Sequence, residues 1–136
     1  MQTIIITGGA GFIGSNFLSK YVLLFPGIHF VNIDMLTYAG NIEKISPEAR
    51  NAANYHFAQV DIRDIDALRE VYAKYNPTDI IHFAAESHVD NSIKNPKLFT
   101  ETNVLGTQNL LDLHREFSMN RFHHISTDEV YGDLPD

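Results

Sequence analysis

The sequence of 136 residues contains no cysteine, which excludes disulfide bonds and thiolate metal sites. Basic residues are also scarce, because 10 lysines and arginines stand against 17 acidic residues and give a formal net charge of −7. Nucleic-acid binding needs a basic surface, so we expect no nucleic-acid partner. The lack of cysteine fits a reducing compartment, and the location we expect is the cytoplasm.

Long apolar runs are absent as well. No stretch approaches the roughly 18 apolar residues of a membrane-spanning helix. Residues 1–7 have no basic segment and lead directly into a β-like pattern, so we expect neither a signal peptide nor a membrane partner. A hydrophobic content of 44% and a charged content of 20% are typical of a globular domain. The length suits one such domain rather than two.

Short apolar segments alternate with helical patterns along the chain. The predicted strands are 4–6, 29–33, 55–60, 79–83 and 121–126. The predicted helices are 12–25, 64–75 and 96–117. Residues 37–54 are polar and predict a long loop with at most one helical turn. This order predicts a Rossmann-type doubly wound parallel sheet of about five strands. Because such sheets usually have a sixth strand and closing helices, we expect an incomplete domain without a substrate domain.

A glycine-rich loop lies between the first strand and the first helix. Gly8, Gly11 and Gly14 are three residues apart in this loop. In a dinucleotide-binding loop, the first glycine makes a tight turn, the second admits a pyrophosphate, and the third packs the helix on the sheet. The phosphates then lie at the positive end of the helix. The strand–loop–helix context favours dinucleotide binding over an ordinary connection.

Two aspartates follow the next two strands. Asp34 comes 20 residues after Gly14, where a carboxylate accepts hydrogen bonds from ribose hydroxyls and repels a 2′-phosphate. We therefore predict NAD rather than NADP as the cofactor. Asp61 follows the third strand. It has two equally plausible roles, as an acceptor for the adenine amino group or as the N-cap of the next helix.

Two further clusters follow the fourth and fifth strands. Small residues in 83–90 allow a ligand to approach the chain closely, and we interpret His88 as structural. Thr127, Asp128 and Glu129 form the second cluster, in which two carboxylates can divide the roles of general acid and general base. The alternative is an N-cap beside a surface carboxylate. His123 and His124 have no further ligands at a suitable spacing, so we predict no metal site.

Together these motifs resemble the extended short-chain dehydrogenase/reductase superfamily, and within it the dTDP-glucose 4,6-dehydratases. The resemblance is carried by residues 7–15, 34, 36–41, 84–90, 102–107 and 123–132. The triplet Thr127-Asp128-Glu129 discriminates, since related epimerases typically have small residues after the hydroxyl residue. The resemblance implies dTDP-glucose as the substrate and NAD as a cofactor that is regenerated in each turnover.

The resemblance also implies individual roles. Phe12 and Ile13 would lie against the pyrophosphate, while Asp34, Met35, Leu36 and Thr37 would hold the adenosine ribose. Asp61 and Ile62 would flank the adenine, and the rest of the cofactor would contact Phe83, Ala84, Ala85, Glu86, Ser87 and Thr102. Ser87 and Thr127 would also contact the sugar nucleotide. After NAD accepts a hydride from C4, Glu129 would remove the C5 proton and Asp128 would protonate the departing C6 hydroxyl.

The sequence departs from the family pattern in two respects. Asn91 stands where Arg is frequent. None of the six tyrosines is followed by Lys four residues later, so the superfamily's Tyr-x-x-x-Lys pair is absent from this sequence. We therefore expect these residues to bind NAD but to be inactive alone. The resemblance also implies that the full-length protein is a homodimer. The alternatives are another NAD-dependent nucleotide-sugar dehydratase or epimerase, such as one acting on UDP-glucose, and a stand-alone NAD-binding module.

Overall fold

A computed structural model describes residues 1–38, 40–87, 89–133 and 135. Five strands form one sheet: β1 (Thr3–Thr7), β2 (His29–Ile33), β3 (Tyr55–Ala58), β4 (Asp79–His82) and β5 (Arg121–His124). The strand order is β3-β2-β1-β4-β5, and all neighbouring pairs are parallel. This confirms the predicted Rossmann-type fold class.

The strands end together at the carboxyl edge of the sheet. The register aligns Thr7 with Ile33 and His82, Ile33 with Ala58, and His82 with His124. β3, β4 and β5 therefore end one or two residues earlier than predicted, because pairing stops where β1 turns into the glycine loop. The chain leaves this common edge in loops, which is where open α/β sheets bind ligands.

The helices are α1 (Phe12–Leu24), α2 (Pro47–Arg50), α3 (Ile65–Tyr75), α4 (Val89–Lys94), α5 (Pro96–Thr100) and α6 (Thr107–Glu116). A π-helical segment, Glu101–Gly106, joins α5 to α6, and 3-10 turns lie at Ile42–Lys44 and Asp128–Tyr131. The predicted loop 37–54 thus contains two helical pieces rather than one. The side chains of Asn41 and Ser46 cap them by accepting from the N–H groups of Glu43 and Ala49.

Both faces of the sheet are covered. On one face, Ile5 and Ile80 pack with Leu68 of α3 and Leu110 of α6. On the other face, Ile6 and Phe30 pack with Leu18 and Val22 of α1. Ile5 and Ile6 are adjacent and both fully buried. This is the pattern that an unbroken apolar strand in a parallel sheet predicts.

The π-helical segment changes which residues of the long helical region face the sheet. The sequence predicts Leu98, Thr102, Leu105, Leu110 and Leu113 on the inner side. Leu105 is instead 53% exposed, and the buried Gly106 lies against Ile62. A π turn contains more residues than an α turn, so it rotates the following residues relative to a regular α-helical spacing. None of the described helices is long and apolar enough to span a membrane.

The buried hydroxyl of Tyr72 gives a stability prediction. Burial raises its pKa, and it has no hydrogen-bond partner among the described residues. Removing an unsatisfied buried polar atom relieves its desolvation penalty, so Tyr72→Phe should raise the free energy of unfolding by about 1 kcal/mol. Urea denaturation of the purified chain measures the change.

Tyr55→Phe is the matched control. The Tyr55 hydroxyl accepts a hydrogen bond from Asn32 Nδ2 at 3.1 Å. Its removal leaves that amide without this acceptor and should lower the free energy of unfolding by about 1 kcal/mol. Destabilisation of similar size in both variants would contradict the assignment.

Candidate cofactor-binding site

The glycine loop connects the end of β1 to α1, and its glycines differ in what surrounds them. Gly8 has a φ of +72°, and a Cβ there would lie 2.6 Å from the backbone N of Ala84. A Cβ at Gly14 would overlap the carbonyl oxygen of Gly8. A Cβ at Gly11 would meet only that same oxygen, at 3.3 Å. Gly8 and Gly14 are therefore required for close backbone packing, whereas Gly11 faces more open space.

The first turn of α1 adjoins the loop and has an uncapped N-terminus. Gly11 precedes the helix without a side-chain capping bond, and the first turn contains no acidic residue. The initial N–H groups of a helix lack intrahelical acceptors and carry the positive end of the helix dipole. Such a terminus suits an anionic group such as a pyrophosphate. Phe12 and Ile13, which begin α1, are 78% and 60% exposed.

Asp34 joins the glycine loop to the segment after β2. Its Oδ2 accepts from the N–H of Ala10 at 3.0 Å, and its Oδ1 accepts from the N–H of Leu36 at 2.8 Å. Leu36 has a φ of +58°, which is unusual for a non-glycine residue, and the Asp34 bond holds it there. Each carboxylate oxygen has further acceptor capacity, so Asp34 can accept from ligand hydroxyls as well.

The loops enclose a cleft with an empty volume of about 600 Å³, part of it open to solvent. Predicted residues that line it are Gly8, Gly11, Asp34, Met35, Thr37, Asp61, Ile62, Phe83, Ala84, Ala85 and Thr102. The other predicted cofactor residues, Phe12, Ile13, Gly14, Leu36, Glu86 and Ser87, are not among the residues lining it.

The sequence missed three residues that line the cleft, namely Ile33, Gly40 and Val60. Ile33 ends β2 and precedes Asp34, while Val60 lies two residues after the end of β3 and precedes Asp61. Gly40 is brought in because the N–H of Asn41 donates to the carbonyl oxygen of Ala10 at 3.0 Å, which folds this loop back onto the glycine loop. The only sequence feature that could have predicted Ile33 and Val60 as lining residues is their position near the carboxyl end of a predicted strand.

Asp61 is held in a charged network. Its carboxylate accepts from the Arg63 guanidinium at 2.6 Å, and Arg63 also pairs with Glu101 at 3.2 Å. Burial alone would raise the pKa of Asp61, but the hydrogen bonds from Arg63 outweigh it and lower the pKa. Asp61 is therefore ionised and joins its loop to the π-helical segment. The N-cap alternative is wrong, because Asp64 caps α3 by accepting from the N–H of Ala67.

Asn103 fixes the segment that follows β4. The N–H of Glu86 donates to Asn103 Oδ1, and Asn103 Nδ2 donates to the carbonyl oxygen of Glu86, both at 2.9 Å. The Glu86 carboxylate accepts from the Tyr38 hydroxyl at 3.2 Å, while Ser87 is exposed. Asn103 has no individual role among the residues predicted from the sequence. The prediction for His88 lies outside the described residues.

The second carboxylate cluster lies beyond β5 on the same edge of the sheet. Asp128 and Glu129 begin the 3-10 turn, and Thr127 Oγ1 donates to Glu129 Oε2 at 3.3 Å. Thr127 makes no side-chain capping bond, so the N-cap alternative is not supported. All three residues are exposed and lie outside the cleft lining. No group of three or more potential metal ligands occurs among the described residues.

A parallel doubly wound sheet with a glycine loop, a strand-end aspartate and a cleft at the carboxyl edge defines a Rossmann-type nucleotide-binding unit. The family model described as GDP-mannose 4,6 dehydratase matches residues 5–136. The chain therefore belongs to this dehydratase family.

The similarity to dTDP-glucose 4,6-dehydratases is confirmed by individual relatives. The enzyme of that name from Neisseria meningitidis is 48% identical over 98% of this chain. The solved dTDP-glucose 4,6-dehydratase from Streptomyces venezuelae, with NAD bound, is 41% identical over 99% of the chain with a TM-score of 0.89. A UDP-glucose 4-epimerase from Brucella ovis, in complex with NAD, is 32% identical over 100% of it, with a TM-score of 0.82.

The chain is shorter than these relatives. It spans 40% of the Neisseria protein, 42% of the Streptomyces structure and 39% of the Brucella structure. The comparisons therefore concern the part of each relative that contains the corresponding parallel sheet.

The glycine loop gives a second prediction. Gly14→Ala should lower the free energy of unfolding by about 1–3 kcal/mol, because its Cβ would overlap the Gly8 carbonyl oxygen. Gly27→Ala is the control, since a Cβ there meets no atom within 4 Å and should change stability by less than about 0.5 kcal/mol. Urea denaturation of both variants tests this. Equal stabilities would show that Gly14 is not a packing glycine.

Proposed function

We propose that the chain is the NAD-binding, Rossmann-type domain of a dTDP-glucose 4,6-dehydratase. The whole protein would convert dTDP-glucose into dTDP-4-keto-6-deoxyglucose with loss of water. The observation that carries the proposal is the convergence of the glycine loop, Asp34 and the segment after β4 on one cleft. The similarity of this chain to dTDP-glucose 4,6-dehydratases, which extends over nearly its whole length, supports the same reaction.

The residues of the cleft fit NAD. The uncapped first turn of α1 would receive the pyrophosphate, and Gly11 leaves room for its close approach. Asp34 would accept from the adenosine ribose hydroxyls, while Asp61 and Ile62 would border the adenine. The small side chains of Ala84 and Ala85 would admit the rest of the cofactor. When bound, NAD supplies reversible hydride acceptance.

The charge of the cleft favours NAD over NADP. Its described lining includes the carboxylates of Asp34 and Asp61 and no basic residue. A 2′-phosphate beside Asp34 would face like-charge repulsion without a compensating cation. Arg63 directly follows Ile62 of the cleft lining in the sequence, and its guanidinium is already paired with Asp61 and Glu101.

The exposed triplet beyond β5 would act on the sugar. Glu129 would remove the proton from C5, and Asp128 would protonate the departing C6 hydroxyl. Thr127 would hydrogen-bond the sugar, and its present bond to Glu129 holds the two side chains together. Two carboxylates with separate acid and base roles suit the elimination of water across neighbouring carbons.

Further properties of the whole protein are expected from the resemblance and, for its location, from the lack of cysteine. A Tyr-x-x-x-Lys pair would be needed to deprotonate the sugar 4-hydroxyl, and no tyrosine of this sequence is followed by Lys at that spacing. We therefore expect the 136 residues alone to bind NAD without turnover. The whole protein would be a cytoplasmic homodimer in which residues 96–117 contribute to the subunit interface.

The second candidate function is that of another NAD-dependent nucleotide-sugar enzyme, and the similarity to a UDP-glucose 4-epimerase favours it. Adjacent Asp128 and Glu129 favour a dehydratase instead, because an epimerase eliminates no water. Assays of the full-length protein with dTDP-glucose and UDP-glucose separate these functions. A stand-alone NAD-binding module would process neither sugar.

The role of Asp34 is testable by cofactor titration. Asp34→Asn removes the charge, so NAD affinity should fall about tenfold and the preference for NAD over NADP should decrease. Calorimetric titration of the chain with both dinucleotides measures this. Asp66→Asn, at the exposed start of α3, is the charge-matched control and should leave both affinities unchanged. An unaltered NAD affinity in Asp34→Asn would exclude a ribose-binding role.

The acid and base roles are separable in the full-length protein. Glu129→Gln should lower turnover by about 10²–10⁴-fold and abolish exchange of the sugar C5 proton with deuterated water. Asp128→Asn should impair water loss but retain that exchange. Mass spectrometry of the recovered sugar nucleotide measures both effects. Retained C5 exchange in Glu129→Gln would assign the base to another residue.

A further inference from the structure

His82 is a buried titratable residue for which the proposed reaction has no use. It ends β4 and is 1% exposed. Its Nδ1 lies 2.6 Å from Thr7 Oγ1, and its Nε2 lies 2.9 Å from Thr107 Oγ1. One imidazole therefore joins β1 to α6 across the sheet.

The neighbouring hydrogen bonds determine which atoms donate and which accept in the two bonds to His82. Thr107 Oγ1 donates to the carbonyl oxygen of Asn103 at 2.7 Å, so its only proton is used there. Its oxygen must then accept from His82, which places the imidazole proton on Nε2. Nδ1 consequently accepts from Thr7, and the Thr7 oxygen accepts from the N–H of Ala84 at 3.3 Å.

The result is a continuous relay from the backbone of Ala84 through Thr7, His82 and Thr107 to the carbonyl of Asn103. Each proton in it is used once, which requires a neutral imidazole. Burial, together with the smaller effect of the neighbouring His124 of β5, lowers the pKa of His82 to about 4. Thr7 and Thr107, the other polar side chains in contact with the ring, are uncharged.

Both ends of the relay meet the segment that lines the cleft. Ala84 belongs to the cleft wall. Asn103, at the other end, binds both backbone groups of Glu86 through its side chain. The segment from Phe83 to Glu86 is therefore fixed at two points by groups that the relay connects. The carbonyl of His82 also accepts from the N–H of Ile125, on the way to the Thr127 cluster.

We propose that His82, as a neutral Nε2–H imidazole, is a positioning residue that fixes the segment Phe83–Glu86, whose first three residues form a wall of the cleft, through Thr7 and Thr107. It touches neither cofactor nor substrate. Its effect on NAD binding rests on the proposed function, whereas its effect on the wall does not. An apolar side chain at position 82 would fill the same space. It would leave the Thr7 and Thr107 hydroxyls without the ring nitrogens that they now contact.

The tautomer is tested without any ligand. Long-range ¹H–¹⁵N correlation spectra of the ¹⁵N-histidine-labelled chain should show His82 as the Nε2–H tautomer from pH 7 to pH 5. A Nδ1–H tautomer, or a His82 that titrates near 6.5 like an exposed imidazole, would overturn the relay.

The positioning role is tested by Thr107→Val, which removes the acceptor for Nε2–H. The amide signals of Ala84 and Glu86 should shift in this variant, and NAD affinity should fall by up to about tenfold, the limit set by the free energy of the one hydrogen bond that no longer positions the segment. Thr107→Ser restores the hydroxyl and should return both readouts to near the wild-type values. Calorimetric titration with NAD and amide spectra of the chain provide the measurements.

Leu113→Ala is the control for simple destabilisation, because Leu113 is a fully buried residue of the same helix. It should lower stability and leave the NAD affinity of the folded chain unchanged. If Thr107→Val behaves in the same way, with unshifted Ala84 and Glu86 amides, His82 is only a core residue and the proposal fails. If the wild-type chain does not bind NAD, the proposed function fails, and the amide shifts alone decide the positioning role.

Discussion

The carboxylate of Asp34 accepts hydrogen bonds from the backbone of Ala10 and of Leu36, and the form of the cleft depends on this pair of bonds. One oxygen anchors the glycine loop, and the other holds Leu36 in a left-handed conformation. A neutral residue without two acceptor oxygens would satisfy only one of the two N–H groups. The charge that organises the cleft is also the charge proposed to select NAD over NADP. Folding and cofactor choice are therefore linked through one side chain.

Three other elements support the cleft around Asp34. Arg63 joins the Asp61 loop to Glu101, Asn103 holds the backbone of Glu86, and the His82 relay connects Asn103 to Ala84. All three contacts involve the π-helical segment Glu101–Gly106, which also supplies Thr102 to the cleft lining. Its irregular turn thus presents Glu101, Thr102 and Asn103 to neighbouring loops, and Gly106 to Ile62. Preorganisation of this kind reduces the entropy that a ligand must remove on binding.

The sequence was sufficient for the fold and most of the cleft lining, because both depend on local signals. Unbroken apolar strands predict burial on two faces, and residues directly after parallel strands must meet at one edge. The sequence did not predict the exposure of Leu105, because the spacing of apolar residues does not indicate a π turn. Gly40 lines the cleft, and Asn103 binds the backbone of Glu86, only through contacts between distant segments. The 3-10 turn after Thr127 places the carboxylates outside the cleft lining, a placement that extended-strand geometry does not predict.

The central claim is that the carboxyl edge of the sheet is the dinucleotide site. Titration of the ¹⁵N-labelled chain with NAD, followed by amide chemical shifts, tests it most directly. The account predicts that shifts concentrate at Gly11, Asp34, Ile62, Ala84 and Thr102, all of which line the cleft. It also predicts unchanged signals for His29 and Thr78, which lie at the opposite edge of the sheet. Shifts centred on that opposite edge, or none at saturating NAD, would contradict the account.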